Sequence, residues 1–297
     1  MLTDAHCHHY DLSQIFPEAE HERREIISPY GEKGVTAASS AFNAKEISHN
    51  EEIAHNAANE QAAALIPCFG IHPQFFSAWN KECGVRNEEL GIKNKLKTLI
   101  DEKLFMLDNL ALNKRISAVG ECGFDLYSKA LRETEFWQDK VFLEHLETAN
   151  RHNLPVILHV RRAMHKIFPL TKQLSKCKAV VFHSWPGTYE EAVSLLRRGV
   201  NAYFSFGNII ILNHKQAIRS CALLPADRLL TETDAPYQSR RAERFSKWTD
   251  LPLVLEAAAN LRSEAGNSVT VFDLEKQIEN NFNNIYSSSF SSAAPRL

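Results

Sequence analysis

Short apolar runs alternate with longer amphipathic stretches along most of the chain. Several of these runs are continuously apolar, as strands are when both faces of their sheet are covered. The stretches between them carry apolar residues at helical spacing, which predicts helices over Ser48–Ala63, Thr134–Asn153 and Tyr189–Arg198. The predicted strands are Leu2–Ala5, Gly34–Ala38, Ala64–Phe69, Ile116–Val119, Pro155–His159, Ala179–His183, Asn201–Phe206 and Arg228–Glu232.

About eight alternations of strand and helix favour right-handed βαβ units closed into an α/β barrel of the (β/α)8 TIM type. A doubly wound open sheet is the alternative, but no Gly-x-Gly-x-x-Gly turn follows the first strand. The region Gln74–Lys114 exceeds a minimal crossover, so we expect one or two extra helices between the third and fourth strands, one of them over Asn87–Leu104. We expect one domain over residues 1–297, ending in a frayed Ser-rich tail over 287–297.

Composition places the chain among ordinary globular proteins, with 44% hydrophobic and 24% charged residues. Its 34 basic and 36 acidic residues give a net charge of −2, which excludes tight duplex binding through bulk charge but leaves room for a local arginine cluster on phosphates. No signal peptide or membrane span is recognisable. The six dispersed cysteines indicate free thiols in a reducing cytoplasm, and no obligatory protein partner is evident.

Most residues that could carry chemistry stand at the carboxyl ends of the predicted strands. In a parallel barrel these ends open on one face, so their side chains converge on one pocket. Alternation along the first strand turns His6 and His8 to one side and Cys7 to the other. Any one of these histidines alone is more often a satisfied, partly buried residue. The full set of nitrogen and oxygen donors is His6, His8, Glu121, His159, His183 and Asp234.

Neutral imidazoles and carboxylates suit Zn²⁺, Mn²⁺ or Mg²⁺. Five or six donors exceed the needs of one catalytic zinc, and they suit two ions that are bridged by a carboxylate. We hypothesise that one ion is held by His6, His8 and Asp234, and that the other is held by the two later histidines. Glu121 would then bridge the ions, and Asp234 would orient the attacking water or take its proton.

Six motifs occur in order between residues 4 and 237: Asp4-Ala5-His6-Cys7-His8, Gly70-Ile71-His72-Pro73, Gly120-Glu121-Cys122-Gly123-Phe124-Asp125, Leu154-Pro155-Val156-Ile157-Leu158-His159, His183-Ser184-Trp185-Pro186-Gly187 and Thr233-Asp234-Ala235-Pro236-Tyr237. As an ordered set they resemble the motifs of the TatD family, metal-dependent deoxyribonucleases with an amidohydrolase-like barrel. The stretch Asn281–Tyr286 resembles the family's closing helix more weakly. The resemblance implies a distorted (β/α)8 barrel, one or two divalent ions, and hydrolysis of phosphodiester bonds in DNA.

Carried across by motif, the resemblance implies the same metal set, with Glu121 as the bridging carboxylate and Asp234 as the last ligand and base. These two are the predicted catalytic residues. His72 matches a histidine that the family keeps near the substrate phosphate. Lactonase and phosphotriesterase relatives usually bridge their metals with a modified lysine, which residues 118–121 do not offer.

The chain also departs from the family pattern on the substrate side. Gln74 follows the Gly-x-His-Pro motif where the family commonly has His or Glu, and Arg162 replaces the acid of an Arg-Asp-Ala stretch. An Arg-Asn-Glu-Pro stretch after the last motif is missing, and Gln238–Pro252 carries other residues in its place. The metal set therefore matches the family better than the substrate-facing set does. The divergent loop contains Arg240, Arg241, Arg244 and Trp248.

Three further residues are candidates for substrate binding. Arg161 is expected to hold a substrate phosphate, and Trp185 and Tyr237 to stack on a base. The competing interpretations are a solvated loop arginine and loop-packing aromatics. The predicted substrate is DNA or a small phosphodiester. The alternatives are hydrolysis of another ester, amide or lactone on the same barrel, and a non-catalytic binding protein on a degraded barrel.

Overall fold

Eight strands form one parallel sheet in which each strand pairs with the next in chain order. The computed structural model describes residues 1–60, 63–77 and 89–286. The prediction of a (β/α)8 barrel is confirmed. The strands are β1 Leu2–Cys7, β2 Val35–Ala41, β3 Leu65–Phe69, β4 Ala118–Asp125, β5 Val156–Arg161, β6 Val180–Phe182, β7 Ala202–Phe206 and β8 Leu229–Thr231.

Helices lie between and after the strands. Long helices cover the outside of the sheet, and their apolar faces join the largest buried cluster. The α-helices of seven or more residues in the described ranges are His9–Ile15, Ala19–Glu25, Ala44–Asn59, Glu89–Leu112, Glu135–His152, Tyr189–Arg197, Lys215–Leu223, Asp250–Glu264 and Val271–Tyr286. Shorter helical turns are Lys129–Arg132, Met164–Ile167, Phe168–Leu170, Thr171–Leu174, Asn208–Ile211 and Ala226–Arg228.

Each predicted strand has an observed counterpart, and the differences concern their ends. The fourth strand begins at Ala118, inside its predicted range, and continues through Gly-Glu-Cys-Gly to Asp125. Apolar periodicity does not detect this second part because it is largely polar or glycine. The helix predicted from Ser48 begins one turn earlier because Asn43 caps it, its side chain accepting the N–H groups of Lys45 and Glu46. The insert helix predicted over Asn87–Leu104 runs over Glu89–Leu112. The predicted tail lies outside the described residues.

The barrel closes where β8 meets β1, the first and last strands of the chain. The Thr231 hydroxyl donates to the Thr3 carbonyl at 3.1 Å. Farther along, the carboxylate of Asp4 accepts the Thr233 N–H at 3.1 Å and the Thr233 hydroxyl at 2.6 Å. Burial raises the pKa of Asp4 well above its usual range, against the opposing effect of these hydrogen bonds. The contact places the first and last sequence motifs side by side.

The barrel interior is filled by one residue from each strand and by the C-terminal helix Val271–Tyr286. Small residues on the early strands leave space there, and the helix inserts Phe282, Ile285 and Tyr286 into it. The Tyr286 hydroxyl donates to the backbone carbonyl of Ala5 at 3.2 Å, which satisfies its polar end. The strand residues of this interior cluster are Ala5, Ala38, Cys68, Ala118, Ile157, Val181, Tyr203 and Leu230.

Two findings bear on the expectations drawn from composition. Within the described ranges, no helix combines the length and the apolar character needed to cross a membrane. The five cysteines in those ranges are buried and free, as expected, and Cys83 lies outside them. Cys7 and Cys122 face backbone carbonyls in the core, so they are structural thiols.

His145 makes the folding stability depend on pH. Its ring is fully buried, where Nε2 accepts the Ile71 N–H at 2.9 Å and Nδ1 donates to the Val141 carbonyl at 2.6 Å. Burial lowers the pKa of His145 to about 4. Between pH 6.5 and 4 the unfolded chain therefore binds a proton that the folded chain excludes, so stability falls as the pH falls.

We expect the free-energy advantage of the wild type over His145→Gln to shrink below pH 6.5 by up to about 1.4 kcal/mol per pH unit. Urea unfolding in EDTA at pH 7.5, 6 and 5 measures it. His55→Gln, which changes an exposed helical histidine, is the matched control and should differ from the wild type equally at each pH. A pH-independent difference for His145→Gln would show that this ring is not held neutral.

Candidate metal centre

A cavity of about 1190 Å³ opens at the carboxyl ends of the strands, where a parallel barrel gathers its loops. It is lined by most of the residues predicted for the site. His6 lies beneath its floor and is fully buried, with its ring nitrogen turned toward the same point. The predicted residues in the cavity wall are His8, His72, Glu121, His159, Arg161, His183, Asp234 and Tyr237.

Glu121 stands at the centre of the site. Its Oε1 lies 2.8 Å from Nδ1 of His159 and 2.8 Å from Nε2 of His183. Its Oε2 lies 3.2 Å from Nε2 of His6 and 3.3 Å from Nε2 of His8. Each carboxylate oxygen therefore faces a different pair of imidazoles, which is the geometry that a bridging carboxylate needs.

Asp234 completes the group around the first-strand histidines. Its Oδ1 lies 3.5 Å from Nε2 of His6 and 3.7 Å from Nε2 of His8. Its Oδ2 accepts a hydrogen bond of 2.6 Å from the side-chain amide of Gln238. One carboxylate oxygen thus faces the histidines while the other is held by the loop. The backbone of Asp234 is left-handed (φ 52°), a conformation that costs a non-glycine residue free energy and is kept at functional sites.

His72 approaches the cluster more closely than its predicted role required. Its Nε2 lies 3.3 Å from Oε1 of Glu121 and 3.3 Å from Nδ1 of His159. The ring is a quarter exposed on the cavity side. Its Nδ1 accepts the backbone N–H of Gln74, which fixes the ring orientation. The neutral ring therefore carries its proton on Nε2, from which it can donate to Glu121 or to a substrate oxygen.

Two glycines allow Glu121 to reach this position. A Cβ at Gly123 would lie 2.3 Å from the carbonyl oxygen of His159, and one at Gly120 would lie 2.7 Å from the Cβ of Ile157. Both glycines have positive φ, +154° for Gly120 and +130° for Gly123. The pairing of β4 with β5 is correspondingly irregular on either side of Glu121. Glycine is required here because β4 and β5 approach too closely for a side chain.

Each of three candidate ligands turns its second ring nitrogen to another polar group. Nδ1 of His6 lies 3.3 Å from the Ser40 hydroxyl. Nε2 of His159 lies 3.4 Å from Oδ2 of Asp125, and Nδ1 of His183 lies 3.6 Å from Oε1 of Glu232. Metal-binding histidines are usually oriented in this way by an outer carboxylate or hydroxyl.

Charge and burial oppose each other at the centre of the cluster. Burial would raise the pKa of Glu121, but the surrounding histidines hold that pKa well below its usual value. Burial would lower the pKa of His183, but Glu121 and Glu232 raise it well above its usual value. For His6, burial prevails and lowers the pKa. The centre of the cluster therefore carries an ionised carboxylate, which attracts cations.

The donor set fits divalent metal ions. Donor atoms bound to one tetrahedral ion at about 2.0–2.2 Å lie about 3.3–3.6 Å from one another. The separations of 3.2–3.7 Å between the first-strand histidines and the two carboxylates are close to this range. In the described part of the chain, Nε2 of His6, which faces Glu121 and Asp234, is buried without a hydrogen-bond partner. The possible three-residue ligand groups are His6/Glu121/His183, His6/His8/Asp234 and His72/Glu121/His159.

Trp185 does not join the other predicted residues. It is fully buried, packed at 4.8 Å between ring centroids against Phe204, and its indole N–H donates to Ser220. Its ring therefore has no face open to a base, and its role is packing. The sequence places it next to His183, but the chain turns it into the core there. Tyr237 is half exposed beside His8, where its hydroxyl donates to Asp11 at 2.9 Å.

The arginines of the divergent loop do not line the cavity. Arg240 pairs with the buried Asp250 at 2.7 Å, and Arg241 and Arg244 are exposed outside the cavity wall. The loop lines the cavity through Gln238 instead, and Tyr237 of the preceding motif also lies in the cavity wall. Arg161, by contrast, lies in the wall as expected.

Several polar residues at the site were not predicted from the sequence. Glu232 is fully buried, accepts the Ser184 N–H at 2.7 Å and faces His183. Its position directly after β8 and two residues before Asp234 could have identified it as a site residue. Asp125 is the last residue of the third motif, and the amide of Gln74 donates to it at 2.8 Å. Nothing in the sequence predicted a role for Gln238, because only the conformation of its loop brings its side chain to Asp234.

The comparisons with known proteins agree with this geometry. The family model described as TatD related DNase matches residues 3–287. The 3'-5' ssDNA/RNA exonuclease TatD of Pantoea ananatis is 29% identical over 278 residues, which cover 89% of this chain and 93% of that protein. The protein of the same name from Cronobacter sakazakii is 30% identical over 259 residues, which cover 82% of this chain and 86% of that protein.

A solved structure extends the agreement to the fold. The TatD homologue YjjV from Escherichia coli K12 superposes with a TM-score of 0.73 at 22% identity, covering 96% of this chain and 98% of that one. The family match over nearly the whole chain confirms the relationship predicted from the ordered motifs. This chain belongs to the TatD family of metal-dependent hydrolases.

Proposed function

We propose that this hydrolase cleaves phosphodiester bonds in single-stranded nucleic acid, acting at the cavity that holds Glu121 and its histidines. The observation that carries the proposal is the convergence of five imidazoles and two carboxylates at the floor of the cavity. The names of the exonuclease relatives support nucleic acid as the substrate. A cavity of about 1190 Å³ is large enough for more than one nucleotide.

We assign His6, His8 and Asp234 to one divalent ion and His159 and His183 to a second, with Glu121 shared between them. Zn²⁺, Mn²⁺ and Mg²⁺ are the candidates, since the donors are imidazole nitrogens and carboxylate oxygens. Bound ions of this kind supply Lewis acidity and a water of lowered pKa, and they neutralise the charge of the phosphate.

The protein's own side chains provide orientation and proton transfer. Asp234 presents Oδ1 to the centre and is the proton acceptor for the attacking water. Gln238 holds the other oxygen and so restricts the rotation of this carboxylate. His72, exposed on the cavity side, is placed to donate a hydrogen bond to a phosphate oxygen. Buried Asp125 and Glu232 orient the imidazoles of His159 and His183.

A substrate panel tests the reaction class. We expect metal-loaded protein to hydrolyse bis-p-nitrophenyl phosphate and single-stranded DNA, and EDTA to abolish both activities, because the proposed reaction needs a divalent ion. Lactones and hydantoins serve as the comparison substrates. Turnover confined to these would place the enzyme in a different hydrolytic class, and no turnover of any ester with Mg²⁺, Mn²⁺ or Zn²⁺ would favour a binding protein.

The role of Asp234 predicts a loss of turnover rather than a loss of fold. Asp234→Asn removes the proton acceptor and weakens a ligand, so we expect kcat to fall about 10²-fold or more with an unchanged circular dichroism spectrum. Asp101→Asn makes the same change at an exposed helical position and should leave kcat unaltered. Turnover of Asp234→Asn within about threefold of wild type would contradict the assignment.

The ligand assignment of β1 can be measured without activity. We expect His6→Ala/His8→Ala to lower the amount of metal per chain in elemental analysis, since two imidazole donors are removed. His21→Ala/His55→Ala removes two exposed histidines and is the matched control. If the first double variant keeps the metal stoichiometry of the wild type, these two histidines are not ligands.

A further inference from the structure

Beside the metal centre, the cavity wall contains a tyrosine and two arginines that the reaction as described does not use. Tyr127 follows β4, Arg161 ends β5 and Arg162 comes directly after it. All three line the cavity, and Tyr127 is 47% exposed. We call these residues the arginine–tyrosine subsite.

The tyrosine ring brings the two guanidinium groups together. The Cζ atom of Arg161 lies 3.8 Å from the centroid of the Tyr127 ring, and that of Arg162 lies 4.7 Å from it. Both distances are within the range of cation–π attraction. The ring therefore gathers two positive charges on one part of the cavity wall.

The subsite is fixed to the metal centre through Asp125. The carboxylate of Asp125 accepts the Tyr127 N–H at 3.0 Å with one oxygen, and its other oxygen lies 3.4 Å from Nε2 of His159. Arg132 donates to the Leu126 and Tyr127 carbonyls at 3.2 Å each, which holds the same loop. The position of the ring is thus tied to that of a candidate ligand.

Neither guanidinium group is neutralised by a carboxylate of the described residues. Among the described residues, no carboxylate lies within ion-pair distance of Arg161 or Arg162, whereas Arg240 in the neighbouring loop is paired with Asp250. Arg162 also has a left-handed backbone (φ 55°), a conformation that costs a non-glycine residue of order 1 kcal/mol or more. Unpaired arginines that share one aromatic partner in a cavity are suited to a phosphate, which guanidinium binds in bidentate fashion.

The position of the subsite indicates which phosphate it meets. Arg161 lies two residues beyond His159 on β5, so both side chains point to the same face of the strand. The rise along a strand separates their Cα atoms by about 7 Å, which is comparable to the step between neighbouring phosphates of an extended strand. If one phosphate of a nucleic-acid chain lies at Glu121, the next phosphate of that chain therefore lies near the arginines.

We propose that Tyr127, Arg161 and Arg162 bind the phosphate next to the one that is cleaved, so that the enzyme selects polynucleotides over diesters with a single phosphate. This inference rests on the proposed phosphodiesterase function. Tyr127 acts as the positioning residue for the guanidinium groups, and the arginines contact the substrate.

The test compares two substrates on the metal-loaded enzyme. The p-nitrophenyl ester of thymidine monophosphate has one phosphate, and a single-stranded decathymidylate has a neighbour on each internal phosphate. We expect Arg162→Gln to raise KM for the decathymidylate about tenfold and to change KM for the small ester much less, because a charge-assisted contact is lost only with the longer substrate. Arg244→Gln removes the same charge outside the cavity and should leave both substrates unaffected.

Salt dependence gives a second readout that a purely structural role would not change. Loss of one phosphate contact should reduce the slope of log KM against log salt for the decathymidylate by about 0.7. Arg162→Lys keeps the charge and should restore most of that slope. Tyr127→Leu should raise KM for the decathymidylate, and Tyr127→Phe, which keeps the aromatic face, should not.

The outcomes separate the subsite from the proposed function. If the wild type cleaves both substrates, but Arg162→Gln changes neither KM nor the salt slope, the subsite is refuted and the function stands. Equal losses on both substrates would also refute it. If the loaded wild type cleaves neither phosphodiester, the function fails, and the subsite fails with it.

Discussion

The site depends on keeping an ionised carboxylate, Glu121, almost completely buried at the mouth of the barrel. An isolated carboxylate in this position would take up a proton, because burial disfavours its charge. Imidazoles on three other strands prevent this by surrounding both oxygens. The glycines beside Glu121 and the outer carboxylates behind the histidines serve the same arrangement. A cluster of this kind is stabilised further by any cation that binds it.

Closure of the barrel supplies half of that cluster. His6 and His8 stand near the start of the chain and Asp234 about 230 residues later, and the β1–β8 contact through Asp4 and Thr233 brings them together. The C-terminal helix supports this contact from inside the barrel, where Tyr286 bonds to the backbone of β1. Residues outside the cavity therefore fix the relative positions of the candidate ligands, through packing and hydrogen bonds and without contacting a substrate.

The substrate side of the cavity differs from the metal side in how it is built. The candidate metal ligands stand at or just past strand ends, while loop residues such as Tyr127, Arg162 and Gln238 line other parts of the cavity. Loops tolerate sequence change better than strand ends do, and the differences from the family motifs at Gln74, Arg162 and residues 238–252 begin just past strand ends. Gln238 illustrates the consequence, since a residue of the divergent loop controls one oxygen of the candidate base.

The sequence by itself determined the barrel, the order of its strands and the residues that meet at its mouth, because strand periodicity and strand-end position are local properties. It could not decide side-chain direction in irregular segments. Trp185, one turn past a strand, is buried rather than open to substrate, and Arg240 is committed to Asp250. The partners of Glu232, Asp125 and Gln238 lie on other elements. Only the tertiary structure pairs such groups, since their contacts depend on loop conformation and on the closure of the barrel.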